Sequence, residues 1–404
     1  MNAHVRLMLI ATLGSCHVFA ADWPHYRGLA SNGSSSETIA AFPVGGPREL
    51  WRVQLGTGLS SVTVADGRVF SAGYKDGREV LCCLNPANGR VLWTHAWPAK
   101  LGNYLFEGGP RATPTVDGDR VYMLGADGHV ACVAAATGKP VWEKNLVSDF
   151  GGQRPDWGFA GSPTIDGKNL ILDSGGKGAS TIALNKLTGA LVWKSGDDEA
   201  GYGSPVVATV NGTRRILIVK GDALVALNAA DGSEAARFDW KTAYKINAAT
   251  PLVSGSRVVV TSAYNHGAAA FDFGGGKPSQ AWFSKAMLSH FNSPVAHGGF
   301  VFGMDGEAGH RRAALVCLDL ASGEEKWRAR GVNNGSLILA GDKLLILTEA
   351  GDLILAAASG AGYKELARKK VLSGRCWIQP ALANGKVYCK NNSGELVCLD
   401  LGGK

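Results

Sequence analysis

The chain has 404 residues, 46% hydrophobic and 19% charged, so it can bury a large core and is not a disordered polymer. Its 55 glycines are about twice the roughly 28 that average usage gives, which argues against long helices and asks for many tight turns. The 41 basic residues exceed the 34 acidic ones by 7, and they are scattered rather than run together, so no nucleic-acid partner is expected.

The chain opens with Arg6, an apolar stretch from Leu7 to Leu13 and a small-residue exit at Val18-Phe19-Ala20. This pattern reads as a secretory signal over residues 1–21. An alternative cleavage ends at residue 15, because Leu13-Gly14-Ser15-Cys16 has the form of a lipobox, with Cys16 as the lipid-bearing residue. Either way the expected location is periplasmic or extracellular. No later apolar stretch approaches the ~20 residues that span a bilayer, so no transmembrane segment is expected. Residues 22–48 form an amino-terminal extension, and residues 49–401 carry a repeat.

One copy of the repeat reads Gly161-Ser162-Pro163-Thr164-Ile165-Asp166-Gly167, then Leu170-Ile171-Leu172, then Thr181-Ile182-Ala183-Leu184-Asn185, then Thr188-Gly189-Ala190-Leu191-Val192-Trp193. Each piece is a short strand, and the Asp-Gly, Gly-Gly and Thr-Gly pairs are the bends. Clear copies start at Ala112, Gly203, Ala249 and Asn292, and degraded ones at Ser60, Gly335 and Gln379, which makes eight. Trp51, Trp93, Trp142, Trp193, Trp240, Trp282 and Trp327 mark the same period, 42 to 51 residues apart, the length of a four-stranded propeller blade. The last copy has three strands, and Glu49 to Val53 is an orphan strand ahead of the first. Pairing these ends removes two open edges. The expected fold is therefore all-β, an eight-bladed propeller of four-stranded antiparallel blades, with the amino-terminal strand completing the last blade.

The repeat also accounts for residues that would otherwise suggest chemistry. Cys83, Cys132, Cys317 and Cys398 occupy one position of the third strand, where other copies place Ala183 and Ala226, so they read as small apolar filler. Cys82, Cys376 and Cys389 fall outside that pattern. A Cys82–Cys83 disulfide is disfavoured, since neighbours on a strand point to opposite faces. The Asp-Gly pairs lack the spaced carboxylates of a calcium loop. No HExxH occurs, and His290, His297 and His310 lack helical ligand spacing, so no metal site is expected. A P-loop and a G-x-S-x-G elbow are also missing.

The units A-T-P-x-V-D-G, L-x-A-L-N-x-x-T-G and L-V-W-K resemble the repeats of the pyrroloquinoline quinone (PQQ)-like β-propeller superfamily across almost all of residues 49–401. Asp22-Trp23-Pro24-His25-Tyr26-Arg27-Gly28 is similar to the D-W-P-x-F-R-G start of secreted bacterial members. The resemblance implies one of two kinds of relative. Quinoprotein alcohol dehydrogenases hold PQQ and calcium in a central funnel, with a catalytic Asp, a Trp platform and a vicinal disulfide. The propeller lipoprotein of the outer-membrane barrel assembly machinery is non-catalytic and docks protein segments. No Glu, Asn and Asp set of this chain matches the calcium ligands, so no catalytic residue and no cofactor is assigned.

Residues just ahead of the Ser/Thr-Pro starts should shape one mouth of the funnel: Arg111, Trp157, Phe159, Tyr202, Asn247, His290, Asn292, Asn333, Asn334, Trp377 and Gln379. Two roles are open to this aromatic and amide-rich set, wettable filler or recognition of a peptide, sugar or flat ring. Arg111, Tyr202 and Trp377 are the leading binding candidates, because Arg and large aromatics dominate binding energy at surfaces. No general acid and base pair stands out. The expectation is a monomeric, non-enzymatic binding or scaffold protein for a protein or small ligand. Its alternatives are a PQQ-dependent oxidoreductase and an outer-membrane assembly factor.

Overall fold

Eight four-stranded antiparallel sheets are arranged as successive blades in a computed structural model that describes residues 22–102, 106–307 and 313–402. The expected signal, Cys16 and His310 lie outside these residues. Blade 1 shows the unit: Thr63–Ala65 is innermost, followed outward by Arg68–Lys75, Arg78–Leu84 and Val91–Pro98. Blades 2 to 7 follow over residues 115–145, 164–195, 206–239, 252–284, 295–329 and 335–370. Blade 8 takes three strands from residues 381–400 and its outer strand, Arg48–Gln54, from the other end of the chain. The ring is thus closed by backbone hydrogen bonds, as the orphan strand predicts.

The blades are held to one another by two features of the repeat. Outer-strand tryptophans donate across the gap to a turn of the next blade: Trp51 Nε1 to Pro86 O, Trp93 to Ala135 O, Trp142 to Lys186 O and Trp282 to Leu320 O, each at 3.0 Å. The turn receives the indole because it carries a glycine, Gly89, Gly138, Gly189 or Gly323, that has no Cβ. A Cβ on Gly138 would lie 2.4 Å from the Trp93 ring, and φ there is +69°. Trp240 does not belong to this ring. In blade 4 Ala226 pairs with Ala236, where the other copies pair Cys83 with Trp93 or Cys132 with Trp142, and Trp240 follows the strand and donates to Ser262 Oγ. The third-strand cysteines lie beside these tryptophans, and all seven cysteines of the described residues are free and buried.

Around the channel the Ser/Thr of each Ser/Thr-Pro start accepts the backbone N–H of its counterpart in the preceding blade. The chain runs Ser61 N to Thr113 Oγ1, Thr113 N to Ser162 Oγ, Ser162 N to Ser204 Oγ, Ser204 N to Thr250 Oγ1 and Thr250 N to Ser293 Oγ, at 2.8–3.1 Å. Innermost strands have an open edge, and these hydroxyls satisfy donors that a flanking strand would otherwise take. Proline fits the next position because it brings no N–H to the open edge. Ser204→Ala is expected to orphan the buried Ser162 amide and cost about 1–3 kcal/mol, whereas Ser204→Thr should stay within about 0.5 kcal/mol, as urea denaturation will report.

The amino-terminal segment crosses the channel at the end bearing the turns between first and second strands, where Asp22 accepts Asp66 N. Trp23 bridges Val64 of blade 1, Pro24 O accepts Val116 N of blade 2, and Arg27 reaches Pro294 O of blade 6. Ser34–Ser35 then pairs in parallel with the innermost strand of blade 7, a fifth strand that the repeat does not announce. Glu37 accepts the amides of Asn384 and Gly385 of blade 8 at 2.6 and 2.7 Å. The segment is therefore a plug, and Tyr26 reaches from it into the channel.

Candidate functional site

The other end of the channel is open. It holds a cavity of about 180 Å³ whose lining includes Tyr26 as floor and a collar of Trp157, Tyr202, Tyr264, His290, Phe291, Trp377 and Phe106. Trp377 is its centre. Its ring lies 4.8 Å from Phe291 and 4.8 Å edge-on from Phe106, and the Arg375 guanidinium sits over it at 4.9 Å. Aromatic pairs in these tilted geometries and a cation on a ring face are attractive beyond their burial. Arg375 is itself tied to Glu107 at 2.7 Å, and Asn392 donates to the same carboxylate oxygen. Burial alone would raise the Glu107 pKa, but hydrogen bonds, including those from Asn392 and Arg375, hold it below the ordinary value. Opposite, the Tyr264 hydroxyl lies 2.8 Å from His290 Nε2, and burial pushes the Tyr264 phenol up to about 12.

Three buried polar atoms near this mouth have no hydrogen-bond partner: Trp377 Nε1, Gln379 Oε1 and Asn292 Oδ1. Trp377 and Gln379 belong to the cavity wall. A buried donor or acceptor without a partner is costly.

Of the residues expected at the mouth, Arg111, Trp157, Tyr202, His290, Trp377 and Gln379 line the cavity. The others do not. Phe159 is in the core that runs through blades 1 to 3, packed against Gly128 of blade 2. Asn247 is fully engaged, donating to Lys220 O, Gly221 O and Trp240 O and accepting from Ser262. Asn292 donates to Asn334, and Asn333 is an exposed residue at φ +61° ending a short 3₁₀ turn. Tyr26, Phe106, Glu107, Tyr264 and Phe291 were not anticipated. Tyr26 comes from the plug and Tyr264 from the turn between the second and third strands of blade 5, neither of which the Ser/Thr-Pro marker identifies.

Below the mouth, Glu79 is buried, accepting Trp97 Nε1 at 3.0 Å and Ala126 N at 3.2 Å, and burial raises its pKa to about 7. It is absent from the cavity lining and faces no partner for proton transfer there.

These features define an eight-bladed PQQ-like propeller, plugged at one end and aromatic at the other. Residues 35–130 and 96–329 match the model of the family described as outer membrane protein assembly factor BamB, and the chain belongs to that family. No curated protein matches it in sequence. The fold is similar to that of BamB from Moraxella catarrhalis, with a TM-score of 0.64 and 14% identity, covering 89% of this chain and 98% of that one. It is also similar to the quinohemoprotein alcohol dehydrogenase ADHIIG from Pseudomonas putida HK5, with a TM-score of 0.70 and 14% identity over 95% of this chain and 81% of that one. The quinohemoprotein alcohol dehydrogenase from Comamonas testosteroni gives a TM-score of 0.66 at 14% identity, with the same coverage. At such identities the likeness is one of fold. Among the described residues no helix is long and apolar enough to cross a membrane.

Proposed function

We propose that this chain is a non-enzymatic binding propeller of the cell envelope, whose funnel mouth receives an extended segment of a partner protein through its aromatic and proline side chains. The observation that carries this reading is the aromatic collar of the open mouth, centred on Trp377, which meets Phe291 and Phe106 at 4.8 Å and the Arg375 guanidinium at 4.9 Å. An extended peptide lays its side chains on such a collar. Membership of the BamB family supports the same reading.

An oxidoreductase holding PQQ and calcium is supported less well. Glu107 is the only carboxylate among the described lining residues, and Arg375 and Asn392 already engage it. Calcium takes six to eight oxygen ligands, so this donor set does not fit it.

The test is an array of twelve-residue peptides probed with the purified protein. Bound peptides are expected to be rich in aromatic residues and proline, and Trp377→Ala is expected to weaken capture at least tenfold, the loss of a central aromatic anchor. Arg111→Ala should weaken it less. A blank array, together with bound quinone absorbance and alcohol oxidation after incubation with PQQ and calcium, would replace this reading with the enzymatic one.

A further inference from the structure

On the flank of the ring, away from the funnel, blades 1 and 2 bring together two imidazoles and a carboxylate. His95 lies in the outer strand of blade 1, His129 opens the third strand of blade 2, and Glu143 lies in that blade's outer strand. His95 Nε2 is 2.8 Å from Glu143 Oε1, and His129 Nε2 is 3.4 Å from the same oxygen. One ligand atom from each residue falls within 4.8 Å of the others. Among the described residues no other group of three such ligands meets that condition.

The placement follows from register. His129 pairs with Asn145, so Glu143, two residues back on the same face, is its diagonal neighbour. Trp97, two residues beyond His95, stacks on the His129 ring at 4.8 Å and 23°, and its own N–H is held by Glu79. The His129 ring is therefore fixed in plane before any ion arrives. Both imidazoles are partly shielded and Glu143 is exposed, which leaves one side open to water.

We propose that His95, His129 and Glu143 bind one divalent transition-metal ion of the zinc class, shared between blades 1 and 2, with a fourth position open to water. Zinc at about 2.0–2.2 Å from nitrogen and oxygen ligands in a tetrahedron sets donors about 3.3 Å apart. The two nitrogen–oxygen distances of 2.8 and 3.4 Å bracket that spacing and the donor atoms all lie within 4.8 Å, so a small approach of the side chains completes the site. Two nitrogens and one oxygen favour zinc, copper or nickel over calcium and magnesium. Sequence spacing misses this set because its ligands come from three strands of two blades.

The experiment is calorimetric titration of tag-free, chelator-treated protein with zinc chloride. One equivalent is expected to bind, unaffected by excess magnesium, and the buried cysteines should not compete. His95→Ala and Glu143→Gln should each weaken binding at least tenfold, and the pair of changes together should abolish it. Cobalt substitution should give the visible band of a four-coordinate ion in the parent protein and none in the double variant. His95→Asn, which keeps a polar side chain beside Glu143, covers the case in which His95→Ala fails to fold. Absence of zinc uptake, or equal uptake by the double variant, would overturn the proposal and leave Glu143 as a hydrogen-bond bridge between two imidazoles.

Discussion

Arg27→Ala is expected to release the amino-terminal plug and lower stability by about 3–5 kcal/mol, since hydrogen bonds to a charged group contribute about 1.5–3 kcal/mol each and several are lost together. Arg27 is fully buried. Its guanidinium donates to Ser31 O at 3.3 Å, Asn32 O at 2.8 Å and Pro294 O at 2.6 Å, so it both folds the segment onto itself and ties it to blade 6. Burial lowers its pKa to about 10, still well above neutrality, so the group stays charged and is solvated by carbonyls. Alanine would leave those carbonyls without their donor and a hollow at the channel axis. Lysine should not rescue the fold, because one ammonium cannot reproduce the planar fork that reaches two separate chain segments. Urea denaturation measures the loss, and limited proteolysis should newly cut between residues 22 and 40 while the blades stay intact. A loss under about 1 kcal/mol would mean that Trp23, Ser34–Ser35 and Glu37 hold the plug unaided. Since Tyr26 floors the cavity, peptide capture should fall with the plug, although Arg27 itself does not line the cavity.

The blades were legible because each strand is short, bounded by Asp-Gly or Thr-Gly, and repeated in the same order, so local turn chemistry and the global period agree. The closure was legible for a related reason, since a strand missing at one end and spare at the other have one mutual solution. Trp240 keeps the tryptophan spacing without keeping the register. Only the pairing of Ala226 with Ala236 reveals that the outer strand ends first. At the mouth, the Ser/Thr-Pro marker located the loops but not the side-chain directions. Phe159 and Asn247 are close in sequence to Trp157 and Ala248, yet they turn into the core and onto backbone groups while those neighbours face the cavity. The plug carried no readable signal for its docking, because Arg27 meets Pro294 across 267 residues of chain. The same distance problem hid the His95, His129 and Glu143 cluster.

Lys390→Met is expected to change the pH dependence of stability. Lys390 is buried, and its amine donates to Ser60 O at 2.9 Å and Ala72 O at 2.7 Å, with burial lowering its pKa to about 7. Between about pH 7 and the unfolded value of 10.5 the unfolded chain carries a proton that the folded chain has shed. The unfolded state therefore binds more protons, and stability rises with pH across that window. Below about pH 7 both states are protonated and the cost of the buried ammonium is constant. The buried thiols act in the opposite sense above their ordinary value of 9, since burial raises the pKa of Cys83, Cys317 and Cys398 to about 12, so the useful interval is pH 7 to 9. Across those two decades the wild-type protein should gain up to about 3 kcal/mol from Lys390 relative to the methionine variant, at about 1.4 kcal/mol per tenfold in proton affinity. At pH 9 methionine should be the less stable side chain, because it gives no donor to the Ser60 and Ala72 carbonyls. At pH 6 the order should reverse, because methionine brings no charge into the core. Guanidinium denaturation of both proteins at pH 6, 7, 8 and 9 tests this. A difference independent of pH would mean that the ammonium remains charged throughout, stabilised by its two carbonyls.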